Sequence, residues 1–393
     1  MIELYGVTFH IVELALIPFL LFYLPALVFE KRGSRIRACP MLRLYLAGMS
    51  LFLFSIALSS LAAWDRSAVW KSFFKWVEII GLTLAVFLYC SSLARFIRVW
   101  RLLLLVYAVS IAYFLVLSYR LALAGSTHDA LRSLPAYTSL FVVALIVPFP
   151  WHSTWKLAGV VMLCGLVLIS LTRGAWIALF VLGAYLLWQG RMRVKAFALG
   201  ASLALVFLIV VEGNFIPEVR EPVYERAQTA FDPQVAGTLV RLEILTLAAH
   251  AFWENPLTGI GADNFPLYFI RSSERRAFNL IREPDKISPH NFFIQCAAEN
   301  GILGILGAGA WLFALYKIAF RRSGASPLPP YLSGLQLHFA VLAVALTFGY
   351  VSGELRLPLA LYIGLVLGSL RIYPVVGVSE GQAGLLCRRK PLS

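Results

Sequence analysis

Continuously apolar blocks of roughly 17–25 residues recur along this chain, and a block of that length is what a helix needs to cross the hydrocarbon core of a bilayer. No water reaches that core, so each block must close its own backbone hydrogen bonds as a helix or join a closed barrel. The blocks show no apolar–polar alternation, which excludes the barrel. They lie near 6–29, 42–63, 74–92, 100–123, 136–150, 155–171, 174–189, 196–211, 296–316, 332–352 and 357–373. The expected fold is therefore all-α and polytopic, with about eleven spanning helices. Pro18 and Pro25 are points where the first block can break, since proline removes a helical hydrogen bond. That block runs on to Glu30 without a small-residue cleavage site, so it reads as an anchor and not as a signal peptide.

Composition supports this. Of 393 residues, 60% are hydrophobic and 14% charged, whereas a soluble domain has about half and a quarter; the mean hydropathy is +0.80. The formal charge of +14 would suggest nucleic acid in a soluble protein. Here the positive residues gather at block ends, and no aromatic–basic stretch forms a nucleic-acid platform. The basic turns at 31–37, 94–101, 191–195 and 317–322 and the tail at 387–390 alternate with less basic ones, as expected if they face the cytoplasm. The five cysteines (Cys39, Cys90, Cys164, Cys296 and Cys387) lack metal-ligand spacing and read as small apolar fillers.

One interruption is long and polar. Connections beyond about 15 residues are uncommon unless they have a function, and this one covers 212–289. The charge rule places it outside. The expected division is transmembrane helices over 1–211, a periplasmic loop region packed on them over 212–289, transmembrane helices again over 290–375, and a cytoplasmic tail over 376–393. Within the loop, "TLVRLEILTLAAHAFWE" (238–254) has apolar residues at Leu242, Leu245, Ala249 and Phe252, at helical spacing, with Thr238 as its N-cap. Asn255-Pro256 stops that helix, and Gly259 and Gly261 mark turns.

The residues able to do chemistry lie around this loop. In "SPHNFF" (288–293), Ser288 can N-cap a helix and Pro289 suits its first turn. His290 and Asn291 would then sit among free backbone N–H groups, which bind anions and keep an imidazole neutral. A neutral imidazole can accept a proton; the plainer reading is a histidine that satisfies hydrogen bonds at the interface. Arg173 sits between two apolar runs on the outer side, either as an interface anchor or as a functional cation. Arg241 falls in the first turn of the loop helix, a poor place for a cation unless an anion joins it, and is otherwise a solvated charge. Arg271, Arg275, Arg276 and Arg282 crowd one short stretch, as a substrate-binding cluster or a face toward anionic lipid. Arg271 and Arg275 are four apart, on one helical face. Glu283 and Asp285 form a Glu-Pro-Asp segment flanked by Arg282 and Lys286, which reads as a loop ion-pair cluster before a metal site. Glu78 and His338, inside apolar blocks, read as packing or a buried hydrogen bond before a proton path. No metal or other cofactor is expected.

One histidine, several permanent cations and no legible nucleophile triad or nucleotide loop suit group transfer from a lipid diphosphate. The leaving diphosphate needs positive charge rather than a proton, and arginine supplies it with bidentate geometry.

The segments "LTRGAW" (171–176), "RLEILTLAAHAFWENPLTGIGADNF" (241–265) and "PHNFFIQCAAENGILG" (289–304) resemble, in order, signature regions of the bacterial O-antigen ligase/polymerase superfamily. The resemblance implies a GT-C-like inner-membrane glycosyltransferase of about 11–12 helices, with its active site on the periplasmic side. It implies an undecaprenyl-diphosphate-linked glycan as donor, a lipid A–core sugar as acceptor and surrounding membrane lipids. It also implies a metal-independent reaction with His290, Arg173 and Arg241 as catalytic residues; beside it, the reading of the residues themselves puts Arg271, Arg275, Arg276, Arg282 and Asn291 near substrate. A sibling activity, O-antigen polymerase or protein O-oligosaccharyltransferase, is the first alternative. A lipid-linked sugar flippase, which would need charges along a path through the membrane, is the second.

Overall fold

The structure is a computed structural model that describes residues 2–4, 7–9, 40–149, 154–170, 172–188, 236–272, 287–321, 329–348 and 356–372. Almost everything described is helix, and the apolar blocks become helices near the expected bounds. In chain order these are α1 (Pro40–Ser59), α2 (Arg66–Tyr89), α3 (Leu93–Leu123), α4 (Thr127–Arg132), α5 (Ala136–Ile146), α6 (Thr154–Ile169), α7 (Arg173–Trp188), α8 (Ala236–Glu254), α9 (Phe265–Arg271), α10 (Phe292–Ala319), α11 (Pro330–Phe348) and α12 (Arg356–Ile372). Among the described residues, six stretches are long and apolar enough to cross a membrane: Met41–Ser59, Arg66–Tyr89, Leu93–Leu123, Asp129–Ile146, Phe292–Ala319 and Pro330–Phe348. Shorter apolar helices cover Ala158–Ile169, Gly174–Leu187 and Leu357–Ile372. The block at 196–211 and most of 6–29 lie outside the described residues.

The start of the first block departs from expectation. Ile2–Leu4 (β1) and Val7–Phe9 (β2) pair antiparallel, with Leu4 opposite Val7. Val7, Thr8 and Phe9 are β-branched or aromatic, the types that fit a pleated surface, so 7–9 belong to a strand and not to a spanning helix.

The chain divides into two units, Met1–Trp100 with Val240–Ser326 and Tyr350–Ser393, and Arg101–Leu239 with Pro327–Gly349. In the first, α1 packs along α10 and α2 along α12. Lipid is as apolar as leucine, so spanning helices associate through close packing, and small residues at the contact favour it. Here the glycines are reciprocal. A Cβ on Gly48 would stand 2.5 Å from the backbone nitrogen of Trp311, and one on Gly307 would stand 2.5 Å from that of Phe52. Gly364 meets the side chain of Val86 in the same way. Two arginines tie the other ends of these helices. Arg321 donates to the carbonyls of Ile318 (2.6 Å) and Ser369 (2.7 Å), and Arg371 to those of Phe87 (3.2 Å) and Leu88 (3.1 Å). Positive charge near a helix C-terminus meets unpaired carbonyls, which favours such contacts.

In the second unit, α5 packs on α6, and α7 and α11 pack on each other and on α5. Gly174 of the Arg-Gly-Ala segment presses on Tyr137 and Phe348, leaving no room for a side chain. Trp176 caps the contact with an indole N–H donated to the Val167 carbonyl (3.0 Å). His338 is buried, stacked on Phe141 (ring centroids 4.5 Å) and hydrogen-bonded through Nε2 to the Tyr107 hydroxyl (2.7 Å). It is a packed, bonded core histidine.

Candidate functional site

The site is built on the first unit, around the N-terminal part of α10. Asn291 is the N-cap of this helix, its Oδ1 accepting from the backbone N–H of Phe293 (3.0 Å) and Ile294 (3.1 Å). The expected cap at Ser288 is thus replaced by Asn291, whose short amide side chain satisfies two otherwise free N–H groups. His290 stands just before the cap, not in the first turn, and has a left-handed backbone (φ 51°). Few non-glycine residues adopt this region, and it costs roughly 1–3 kcal/mol where the surroundings hold it. The residue remains exposed. Partial burial of its ring lowers its pKa below the ordinary imidazole value, and the Arg241 guanidinium lowers it further.

Arg241 comes from α8. This helix is described from Ala236, so Thr238 lies inside it and Arg241 sits in its second turn instead of its first. The buried face also differs from expectation. Ile244, Ala248 and Ala251 pack into a cluster with Ile260, Phe265, Tyr268, Phe269, Ile287 and Ala298, while Leu242 is 52% exposed. Apolar residues occupy both sides of this helix, so spacing alone could not choose between them. Phe265 and Phe269 are fully buried in the cluster, which stabilises it by roughly 1.5–3 kcal/mol each.

The loop after α8 docks into a break in α10. Gly301 is non-helical (φ 65°, ψ −162°) and lies against the backbone of Pro256 and Leu257. The break frees backbone groups that the loop then satisfies. Ile260 and Gly261 donate to the carbonyls of Ala298 and Glu299 (both 3.0 Å), and Ile302 donates to that of Pro256 (2.9 Å). Gly259, with φ 67°, lies directly on the Glu299–Asn300 backbone. These two glycines combine a left-handed backbone with a contact that no Cβ would fit. Asn264 clamps the same loop to the α1–α2 turn, accepting from Asp65 N–H (2.8 Å) and donating to its carbonyl (3.0 Å).

Arg271 ends α9, with Ser272 as C-cap, so this helix does not carry the expected shared face to Arg275. The Ser272 hydroxyl donates to the Tyr268 carbonyl (2.5 Å) and closes the turn. The Arg271 guanidinium lies 4.5 Å from the centroid of the Trp64 ring, which stacks on Tyr268. Arg275, Arg276, Arg282, Glu283 and Asp285 lie outside the described residues. Arg173 opens α7 in the second unit, and its side chain also lies outside them.

Sequence reasoning missed a polar cavity below the helix break. It opens to solvent, with roughly 600 Å³ of empty space when the open mouth is included, and is walled by α1, α2, α10 and the loop at Ala262 and Asp263. Lys75 pairs with Asp263 across it (3.5 Å), and Gln295 donates to Glu299 (3.1 Å). The signal was available: Glu299 is an acid inside an apolar run, which is costly in a membrane and marks a special site.

The described helices define a multi-pass helical membrane protein, with His290 at the entry of one spanning helix and Arg241 near enough for its charge to act on the imidazole. Residues 157–309, from α6 into α10, match the family model described as O-antigen ligase, which supports kinship with the O-antigen ligase/polymerase superfamily. No curated protein matches it.

Proposed function

We propose that this protein transfers an O-antigen glycan from undecaprenyl diphosphate to the lipid A–core sugar, at the periplasmic face of the inner membrane. The observation that carries the reading is an exposed His290 at the start of α10 with the charge of Arg241 acting on it. An imidazole kept neutral next to a permanent cation can take a proton while the cation faces a phosphate. In this mechanism His290 accepts the proton of the acceptor hydroxyl as its oxygen attacks the anomeric carbon. The C–O bond to the diphosphate breaks, and the leaving group departs as an anion toward Arg241; Arg173 is proposed as a further cation for the same charge. The diphosphate needs no acid, because it leaves already stabilised by charge. Arg271, Arg275, Arg276 and Arg282 assist binding of the anionic donor. Asn291 acts by capping α10, which fixes the backbone that carries His290. No step calls for a metal. Polymerisation shares the same donor chemistry and differs in its acceptor.

The test is transfer by purified protein from lipid-linked glycan, offered lipid A–core and free lipid-linked glycan in competition. Ligation to lipid A–core is the expected product. Chain extension alone would make the protein a polymerase, and no transfer to either acceptor would overturn the enzymatic reading.

A further inference from the structure

The cavity below the helix break has a chemistry unlike that of the arginine sites. Two of its side chains are almost wholly buried and each has an oxygen without a hydrogen-bond partner among the described residues: Gln295 Oε1, in a residue 7% exposed, and Asn300 Oδ1, in a residue 5% exposed. Buried polar atoms are almost always satisfied, so two unsatisfied acceptors on one cavity call for a donor that the described residues do not supply. The charged residues on its wall are one lysine and two acids, Lys75, Asp263 and Glu299, and the lysine is already paired. Such a wall disfavours a phosphate or diphosphate and accepts a neutral group bearing O–H or N–H donors. The Lys75 and Asp263 side chains keep 38% and 25% exposure, so the ion pair marks the accessible part of the cavity and the two acceptors its depth. Trp76 and Phe292 add apolar ring surface to the wall. Donor-hungry oxygens next to aromatic rings suit a sugar ring, which has hydroxyls at its rim and C–H groups on its faces.

We propose that this cavity is a subsite for a neutral, hydroxyl-bearing sugar unit, held by Gln295 and Asn300 and distinct from the cations that face the diphosphate. Phe292 belongs to its wall and lies two residues after His290, so the subsite is next to the reacting end of α10. As a role in glycan transfer the inference rests on the proposed function; as a binding site it stands alone. The sugar can come from the donor or from the acceptor, and the experiment separates the two.

The experiment uses the full chain in lipid nanodiscs, with free glucose and N-acetylglucosamine as probes and inorganic pyrophosphate as the contrast, followed by saturation-transfer NMR. Ser72 lines the cavity from α2, so Ser72→Leu fills it, Asn300→Ala removes one acceptor, and Ser72→Ala is the control that leaves space. Thermal unfolding reports whether each variant folds. Wild type and the control are expected to bind at least one sugar, and each of the other two variants to weaken it about tenfold, the scale of a lost hydrogen-bonded contact. Pyrophosphate binding should not change. In the transfer assay, the same variants should raise KM with little change in kcat. A raised donor KM assigns the subsite to the donor sugar, and a raised acceptor KM to the acceptor. The absence of a sugar signal in wild type, meaning a cavity that holds water only, would overturn the proposal, as would an undiminished signal in both folded variants. Cavity-dependent sugar binding in a protein that transfers nothing would leave the subsite standing and reject the proposed function.

Discussion

Two histidines show how this molecule separates packing from chemistry. His338 lies within α11 in the second unit, stacked on Phe141 and bonded to Tyr107. His290 lies in the first unit just before α10, exposed, with a left-handed backbone and Arg241 for a neighbour. Both side chains occur beside apolar helical sequence. The first completes a core; the second stands exposed at a helix start, where the proposed function has it take a proton. Position relative to the helix end, rather than residue type, decides which role a histidine takes.

Removing each histidine tests the contrast, and the largest effect is expected at His290. General-base catalysis is typically worth about 10²–10⁴ in rate, so His290→Ala should lower single-turnover transfer on that scale while the protein still folds and binds donor. His290→Gln should be equally poor, because an amide can donate a hydrogen bond but cannot take a proton at useful pH. Near-normal transfer by the Gln variant would leave His290 as a positioning residue only.

Next in size are the cations. Arg241→Lys and Arg173→Lys should each lose about 10²–10³ in rate, on the scale of a lost electrostatic donor, since lysine keeps charge but not the guanidinium fork. The pH profile sharpens the point. Transfer should fall at acid pH as His290 becomes charged, with a midpoint below the ordinary imidazole value because its pKa is lowered. Arg241 contributes to that lowering, so Arg241→Gln should move the acid limb to higher pH. An acid limb that stays in place would remove Arg241 from the neighbourhood of His290.

His338 should behave in the opposite way. Leaving the Tyr107 hydroxyl buried without its partner costs about 1–3 kcal/mol, so His338→Leu should lower the unfolding temperature but spare kcat per folded molecule. A kcat loss matching that of His290→Ala would erase the distinction between the two regions. The smallest effect is expected for Arg271→Ala. A partly exposed cation–π contact is worth about 0.5–1 kcal/mol, and neighbouring arginines share any role in donor binding, so a modest rise in donor KM is expected.

The sequence contained the helices because the bilayer leaves a spanning segment so few options. Blocks at 42–63, 74–92 and 296–316 became α1, α2 and α10; α2 and α10 are longer than their apolar runs, since helix ends can extend beyond the hydrocarbon, while α1 starts two residues early and ends at Ser59. It also pointed to His290 and Arg241 as separate residues, and to turns at Gly259 and Gly261, because glycine after a helix stop signals a backbone that other residues resist. Local spacing could not decide the face of α8, where apolar residues lie on both sides, or choose between Ser288 and Asn291 as a cap. Nor could it show that α10 breaks at Gly301, since "AENGILG" reads as continuous helix until another segment supplies hydrogen bonds for the freed carbonyls. Those bonds come from Ile260 and Gly261, about 40 residues earlier in the chain. The same docking brings Asp263 to Lys75 and Arg241 toward His290. Hydrophobic length is a property of one segment, so sequence determined the spans; the paired charges, the helix break and the cavity depend on segments meeting, and only the tertiary structure decided them.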